Sequence, residues 1–132
     1  MTPKEYLSQV RKMDSRLKLI GLKIEKLRSA LDYRSPALEG SGGGSSADKL
    51  PDTISLIVDY EQQAEELRQE YIAKYKEIDR SIAAVPDPVL REVLERRYLL
   101  YQRWEQIAEE MHFTQRHIHR LHGSALQKIK CH

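Results

Sequence analysis

Tyr6, Val10, Met13, Leu17, Ile20, Ile24, Leu27 and Leu31 recur at spacings of 4, 3, 4, 3, 4, 3 and 4. That alternation averages about 3.5 residues, close to the helical period, so all of them fall along one stripe of an α-helix. Such a stripe must be covered by another helix. The spacing therefore predicts a first long helix over residues 1–34 and a helical partner for it. Pro3 suits a first helical turn, where its missing N–H is not needed. Gly21 falls beside the seam and weakens it slightly.

The partner is legible further on. Ile57, Tyr60, Ala64, Leu67, Tyr71, Tyr75, Ile78 and Ile82 form a second seam with one irregular step, at Tyr71–Tyr75. Asp52 or Thr53 can cap this second long helix, expected over 52–86. Val85-Pro86-Asp87-Pro88 stops it, because proline cannot continue a helix and restrains the residue before it. Between the two lies SPALEGSGGGSSADKLP, residues 35–51, expected to be a flexible Gly/Ser linker.

Charge supports the pairing. The chain carries 22 Lys/Arg and 20 Asp/Glu, a net charge of only +2. Residues 1–34 nevertheless hold nine Lys/Arg against four acids, and residues 35–87 hold five against eleven. A basic and an acidic helix of matched length make an antiparallel, coiled-coil-like hairpin the expected arrangement. Exposed ion pairs add only ~0.2–1 kcal/mol each, so apolar burial holds the hairpin and charge selects the pairing. Two helices give a thin core. A homodimer through the long helices, with four helices packed together, would bury more.

Residues 87–132 change character, to three shorter helices. Pro88–Leu99 is the first, with Val89, Val93, Leu94 and Tyr98 as its apolar positions. Arg103–Met111 is the second, with Trp104, Ile107, Ala108 and Met111 facing inward. His112-Phe113 is a short turn and Thr114 an N-cap. The third helix, about Gln115 to Ile129, turns Ile118, Leu121, Ala125 and Ile129 inward, with Leu126 beside them. Ala108 supplies the small residue that two helices crossing through a tight turn require. From His112 to the end there is no acid. This pattern predicts an all-α chain ending in a helix-turn-helix whose last helix enters the major groove of duplex DNA. Gln115, Arg116, His119 and Arg120 are the expected base readers, since Arg and Gln pair with guanine and adenine edges. Arg103, Thr114, His117 and Lys128 are the expected phosphate contacts.

The segment WEQIAEEMHFTQRHIHRLHGSALQKI resembles region 4 of the sigma-70 family. Glu105, Ile107, Ala108, Thr114, Ile118, Leu121, Ala125, Leu126, Lys128 and Ile129 match that region's pattern, and LERRYLL resembles the helix ahead of it. The layout is also similar to small phage and prophage proteins grouped as sigma-70-like transcriptional regulators. Those carry a long helical part before a segment like Arg97-Tyr98, Trp104, Ile107-Ala108, Met111, Arg120-Leu121-His122 and Ala125-Leu126. The resemblance implies a DNA-binding transcription regulator acting in the cytoplasm of a bacterial host cell, beside host RNA polymerase. Three departures stand out. His117 and His119 occupy places where region 4 usually has Arg, Arg116 replaces acidic character within that region's recognition helix, and nothing resembles the sigma region that melts promoter DNA.

Other classes find less support. No apolar run approaches the ~18 residues of a membrane helix. The N-terminus lacks the apolar stretch of a signal peptide, and the one cysteine, Cys131, forms no disulfide framework. The five histidines lack zinc-finger spacing, although His119 and His122, i and i+3, could share a metal; no metal or cofactor is expected. Trp104 reads as a core anchor and His122 as a packing residue at the core edge. No catalytic constellation emerges, so the chain is not expected to be an enzyme. A small terminase-like DNA-packaging protein and a helical protein-interaction module without DNA binding are the alternative readings.

Overall fold

Amphipathic spacing, caps and prolines set the helices of the computed structural model, which describes residues 1–37 and 44–130, the side chains of 33–49 apart. The order is α1 (Pro3–Ala37), α2 (Gly44–Ala83), α3 (Pro88–Leu94) running on into a π-helical turn (Glu95–Leu99), α4 (Trp104–Met111) and α5 (Gln115–Gln127). The protein is all-α, with no strand among the described residues. None of these helices is long and apolar enough to cross a membrane.

The chain forms two compact units. The first comprises Met1–Asp14 and the chain from Tyr71 onward; the second is Ser15–Glu70. In the second, Ile20 and Ile24 of α1 pack on Ile57 and Ala64 of α2, with Leu17, Leu27, Leu31, Tyr60 and Leu67 half-buried around them. Arg28 pairs with Glu61, and Lys23 lies over the Tyr60 ring, 5.4 Å from its centre. The first unit is built around Tyr6, Leu7 and Val10 of α1, Ile78 and Ile82 of α2, and Val85, Leu90, Leu94, Tyr98, Leu99, Ala125 and Ile129. The Tyr6 hydroxyl donates to Glu77 Oε2 at 2.6 Å. A neighbouring cluster of Val93, Ile107, Ala108 and Ile118 ties α3, α4 and α5 together.

Every residue of both expected seams is buried or half-buried. Other expectations differ from the structure. α2 begins before Pro51 rather than after it, with that proline inside the helix. The missing N–H there costs a single bond, to the carbonyl of residue 47. Of the expected linker, 38–43 lie outside the described residues, and α1 and α2 reach into it from either side. The expected boundary at residue 87 is crossed by packing, since Ile82, Val85 and Leu90 share one core. Val89, expected inward, is 39% exposed, and its neighbour Leu90 is buried instead. Pro88 begins α3 under the Asp87 cap, whose carboxylate accepts from the amides of Val89 at 2.9 Å and Leu90 at 3.4 Å. That start orients position 90 toward the core.

The first expected short helix, Pro88–Leu99, is α-helical only to Leu94. Its last part is the π-helical turn, closed by the Leu100 amide donating to the Glu95 carbonyl at 3.1 Å. A π turn holds an extra residue and narrows the angle between neighbours. The consecutive Tyr98 and Leu99 thereby join the same core. Arg91 secures the approach to α3, donating to the Val85 carbonyl through Nε at 3.1 Å and Nη2 at 3.0 Å. After the π turn, Tyr101 adopts a left-handed backbone (φ 59°), and its hydroxyl meets that of Tyr71 at 3.1 Å.

Candidate nucleic-acid interface

α4 and α5 owe their geometry to a turn of three residues. His112 ends α4 in the left-handed conformation, φ 60° and ψ 41°, with its amide directed at the Ala108 and Glu109 carbonyls. The Phe113 amide donates to the Ala108 carbonyl at 2.9 Å. Thr114 then opens α5: its Oγ1 accepts from the His117 amide at 3.1 Å, satisfying a donor that a helix start leaves without a helical partner. Ala108, Ile107 and Ile118 are buried in one cluster, with Leu121, Trp104 and Met111 packed against it. Ala108 thus shares this cluster with Ile118 of α5.

Ile118, His122 and Ala125 of α5 are buried and His117, Leu121 and Leu126 half-buried, which leaves its other side to solvent. Thr114, Gln115, Arg116, His119, Arg120 and Lys128 are all exposed, as is Arg103 at the start of α4. His117 is half-buried, with its ring 4.8 Å from Phe113 and nearly perpendicular to it. His119 leans on Trp104, ring centres 4.7 Å apart. Gln115, Arg116 and Arg120 therefore share the exposed face and the N-terminal two turns of α5. Lys128 sits at the opposite end of that helix. It lines a shallow pocket with Arg80, Ser81, Ala84 and Lys130, a group of cations that the sequence pattern did not bring together. Arg80 belongs to α2, and only the fold places it beside Lys128.

Behind this face runs a stack of rings and one guanidinium. Arg97 lies over Trp104, 4.4 Å from the ring centre, an arrangement with a cation–π attraction of about 0.5–2 kcal/mol. Trp104 also meets the rings of His119 and, at 4.6 Å, His122. His122, 8% exposed, places Nε2 2.6 Å from the Tyr98 hydroxyl. Burial pushes the His122 pKa down to about 4, helped by the positive charges of Lys4, Arg97 and His119. Burial likewise raises Tyr98 to about 12, with Arg97 opposing. His122 is thus neutral near pH 7 and packs against the core, as its position suggests. Trp104 is half-buried, a bracket between Arg97 and α5 as well as a core residue. The Arg97 stack left no periodic signal in the sequence, because cation–π contacts across helices follow no fixed spacing. The Phe113–His117 contact did leave one, its i, i+4 spacing.

No three His, Cys, Asp or Glu side chains converge as metal ligands among the described residues. Cys131 lies outside those residues. No protein-family model, curated protein or solved structure matches the chain.

Proposed function

We propose that α4, the turn and α5 form a helix-turn-helix with α5 as its reading helix, and that α1 and α2 form an antiparallel hairpin attached to it. On this reading the protein is a sequence-specific, duplex-DNA-binding transcription regulator of the phage type, sigma-70 region-4-like, acting beside host RNA polymerase. One observation carries the proposal. The outward face of α5 presents Gln115, Arg116, His119 and Arg120 to solvent, on a stretch with no acid from His112 onward. Phosphates carry the dominant charge of a duplex, and an acid-free basic helix face suits them.

In this mechanism the first two turns of α5 enter the major groove. Arg116 and Arg120 donate to guanine O6 and N7, and Gln115 pairs with the adenine edge. Arg103, Thr114 and Lys128 contact the backbone and fix the register. His119, leaning on Trp104, reads bases beside Arg116 and Arg120, and His117, against Phe113, contacts the backbone.

The experiment is selection of bound sites from random duplexes with the purified chain, followed by titration of Arg116→Ala and Arg120→Ala. An enriched motif is expected, with each variant losing about 1–3 kcal/mol on that motif and less on unrelated duplex. Equal losses on both duplexes would reduce these arginines to phosphate contacts. Failure to retain any duplex overturns the DNA reading and leaves a protein-interaction module.

A further inference from the structure

The Ser15–Glu70 unit has a thin core. Among the described residues, Ile20, Ile24, Ile57 and Ala64 are its buried ones, and segments this small usually need a further staple or a partner. On one side of the unit, Leu22, Lys23, Lys26, Leu27, Leu56 and Tyr60 line a shallow groove. Leu19, Leu22 and Leu56 remain 49%, 61% and 41% exposed.

The charges around this groove are segregated. On α1, Arg16, Lys23 and Lys26 stand at i−3, i+4 and i+7 from Leu19, so they share its side of the helix. On α2, Asp59, Glu66 and Glu70 stand at i+3, i+10 and i+14 from Leu56 and share its side. The groove is therefore bordered by a basic strip on one helix and an acidic strip on the other. Among the described residues, Arg16, Lys26, Asp59, Glu66 and Glu70 are in no ion pair. On the opposite side, Ile54 and Val58 are exposed, and there Arg28 pairs with Glu61 and Arg68 with Glu65 within the chain.

We infer that this groove is a self-association surface, covered by the same face of a second copy of the chain. A face-to-face dimer of two side-by-side helices can take a two-fold axis along the helices or across them. An axis across them sets each basic strip on the other basic strip. An axis along them sets α1 of each copy over α2 of its partner, basic on acidic twice, and closes the leucines into a four-helix core. Symmetry doubles every such contact, so charge selects the second arrangement. Residues 15–32 of α1 extend roughly 27 Å at 1.5 Å per residue, and two helices side by side are about 20 Å wide. A corrugated face of that extent approaches the ~800 Å² per partner of an ordinary stable interface. The inference is independent of the DNA reading, and its test contains no nucleic acid.

The test is sedimentation equilibrium of the full chain, with far-UV circular dichroism to confirm helicity. The wild type is expected to be a dimer at tens of micromolar. Lys23→Glu with Lys26→Glu, or Asp59→Lys with Glu66→Lys, makes both strips the same sign. Either double variant alone is expected to raise the dissociation constant by about 100-fold. An equimolar mixture of the two restores opposite signs across the interface and is expected to restore the dimer. A monomeric wild type, dimers indifferent to the reversals, or helical variants that fail to recombine overturn the proposal. Should a reversal cost helicity, Leu22→Gln replaces it, since that side chain lies outside the intramolecular core. An approximately 10-fold rise in dissociation constant with helicity intact is expected; an unchanged constant overturns the proposal.

Discussion

Lowering the pH from 7 to 5 should loosen the first unit through His122, over and above the general effect of acid on carboxylates. The ring is held neutral by burial, with a pKa near 4 against about 6.5 for an unfolded histidine. The sign follows from which state binds the proton. Between pH 6.5 and 4 the unfolded chain is protonated at this residue and the folded chain is not, so acid favours unfolding. The stability contributed by the neutral ring is complete above pH 6.5 and declines as the pH falls through the window toward 4. At pH 5 the shift corresponds to about 2 kcal/mol. Solvent screening at the edge of the ring reduces that to roughly 1 kcal/mol. The assay is urea unfolding at pH 7 and pH 5 for the wild type and for His122→Gln, which removes the titration and keeps a hydrogen-bonding group opposite Tyr98. The wild type should lose about 1 kcal/mol more than the variant between the two pH values. Equal losses would refute the assignment of a depressed pKa to His122.

Two further substitutions probe local structure. A Cβ added at Gly21 or Gly123 meets nothing within 4 Å, so Gly21→Ala and Gly123→Ala should each stabilise the fold by about 0.5–1 kcal/mol in thermal or urea unfolding, the usual helical gain of alanine over glycine. Thr114→Ala removes the acceptor that caps the His117 amide and should cost about 1 kcal/mol in urea unfolding; no change would mean that water caps α5 equally well.

Much of the fold was legible because helices advertise their buried face by spacing. Both long seams could be read residue by residue, and so could Ile107, Ala108, Ile118 and Ala125 in the short helices. What escaped has physical causes. Leu7 is fully buried although it stands beside the heptad seam. A strict seam describes one helix meeting one partner, whereas α1 in this unit shares a core with residues from α2, α3 and α5, which widens the buried stripe. Val89 and Leu90 are adjacent apolar residues, and periodicity fits either; the Asp87 cap and Pro88 decide between them. The π-helical turn has no composition of its own. It records a tertiary demand, the joint burial of Tyr98 and Leu99, that local propensity does not express.

The exposed residues of the candidate interface were equally legible, because exposure is the complement of the apolar stripe on α5. Their support was not. α5 rests on Ile118 and Ala125, and it also rests on a polar stack: Arg97 on Trp104, Trp104 against His119 and His122, His122 bonded to Tyr98. Apolar packing alone leaves a helix some freedom to roll about its axis, since dispersion contacts are individually weak and nondirectional. A hydrogen bond of 2.6 Å and a face-on guanidinium are directional and hold the roll angle. That angle determines which side of α5 Arg116 and Arg120 present outward. The same stack explains why a neutral His122 is worth its burial. A charged imidazolium there would meet the positive charges of Arg97 and Lys4 with no acid from His112 onward on its own segment to offset them. The basic outer face of α5 and the neutral histidine on its inner face are thus parts of one electrostatic arrangement.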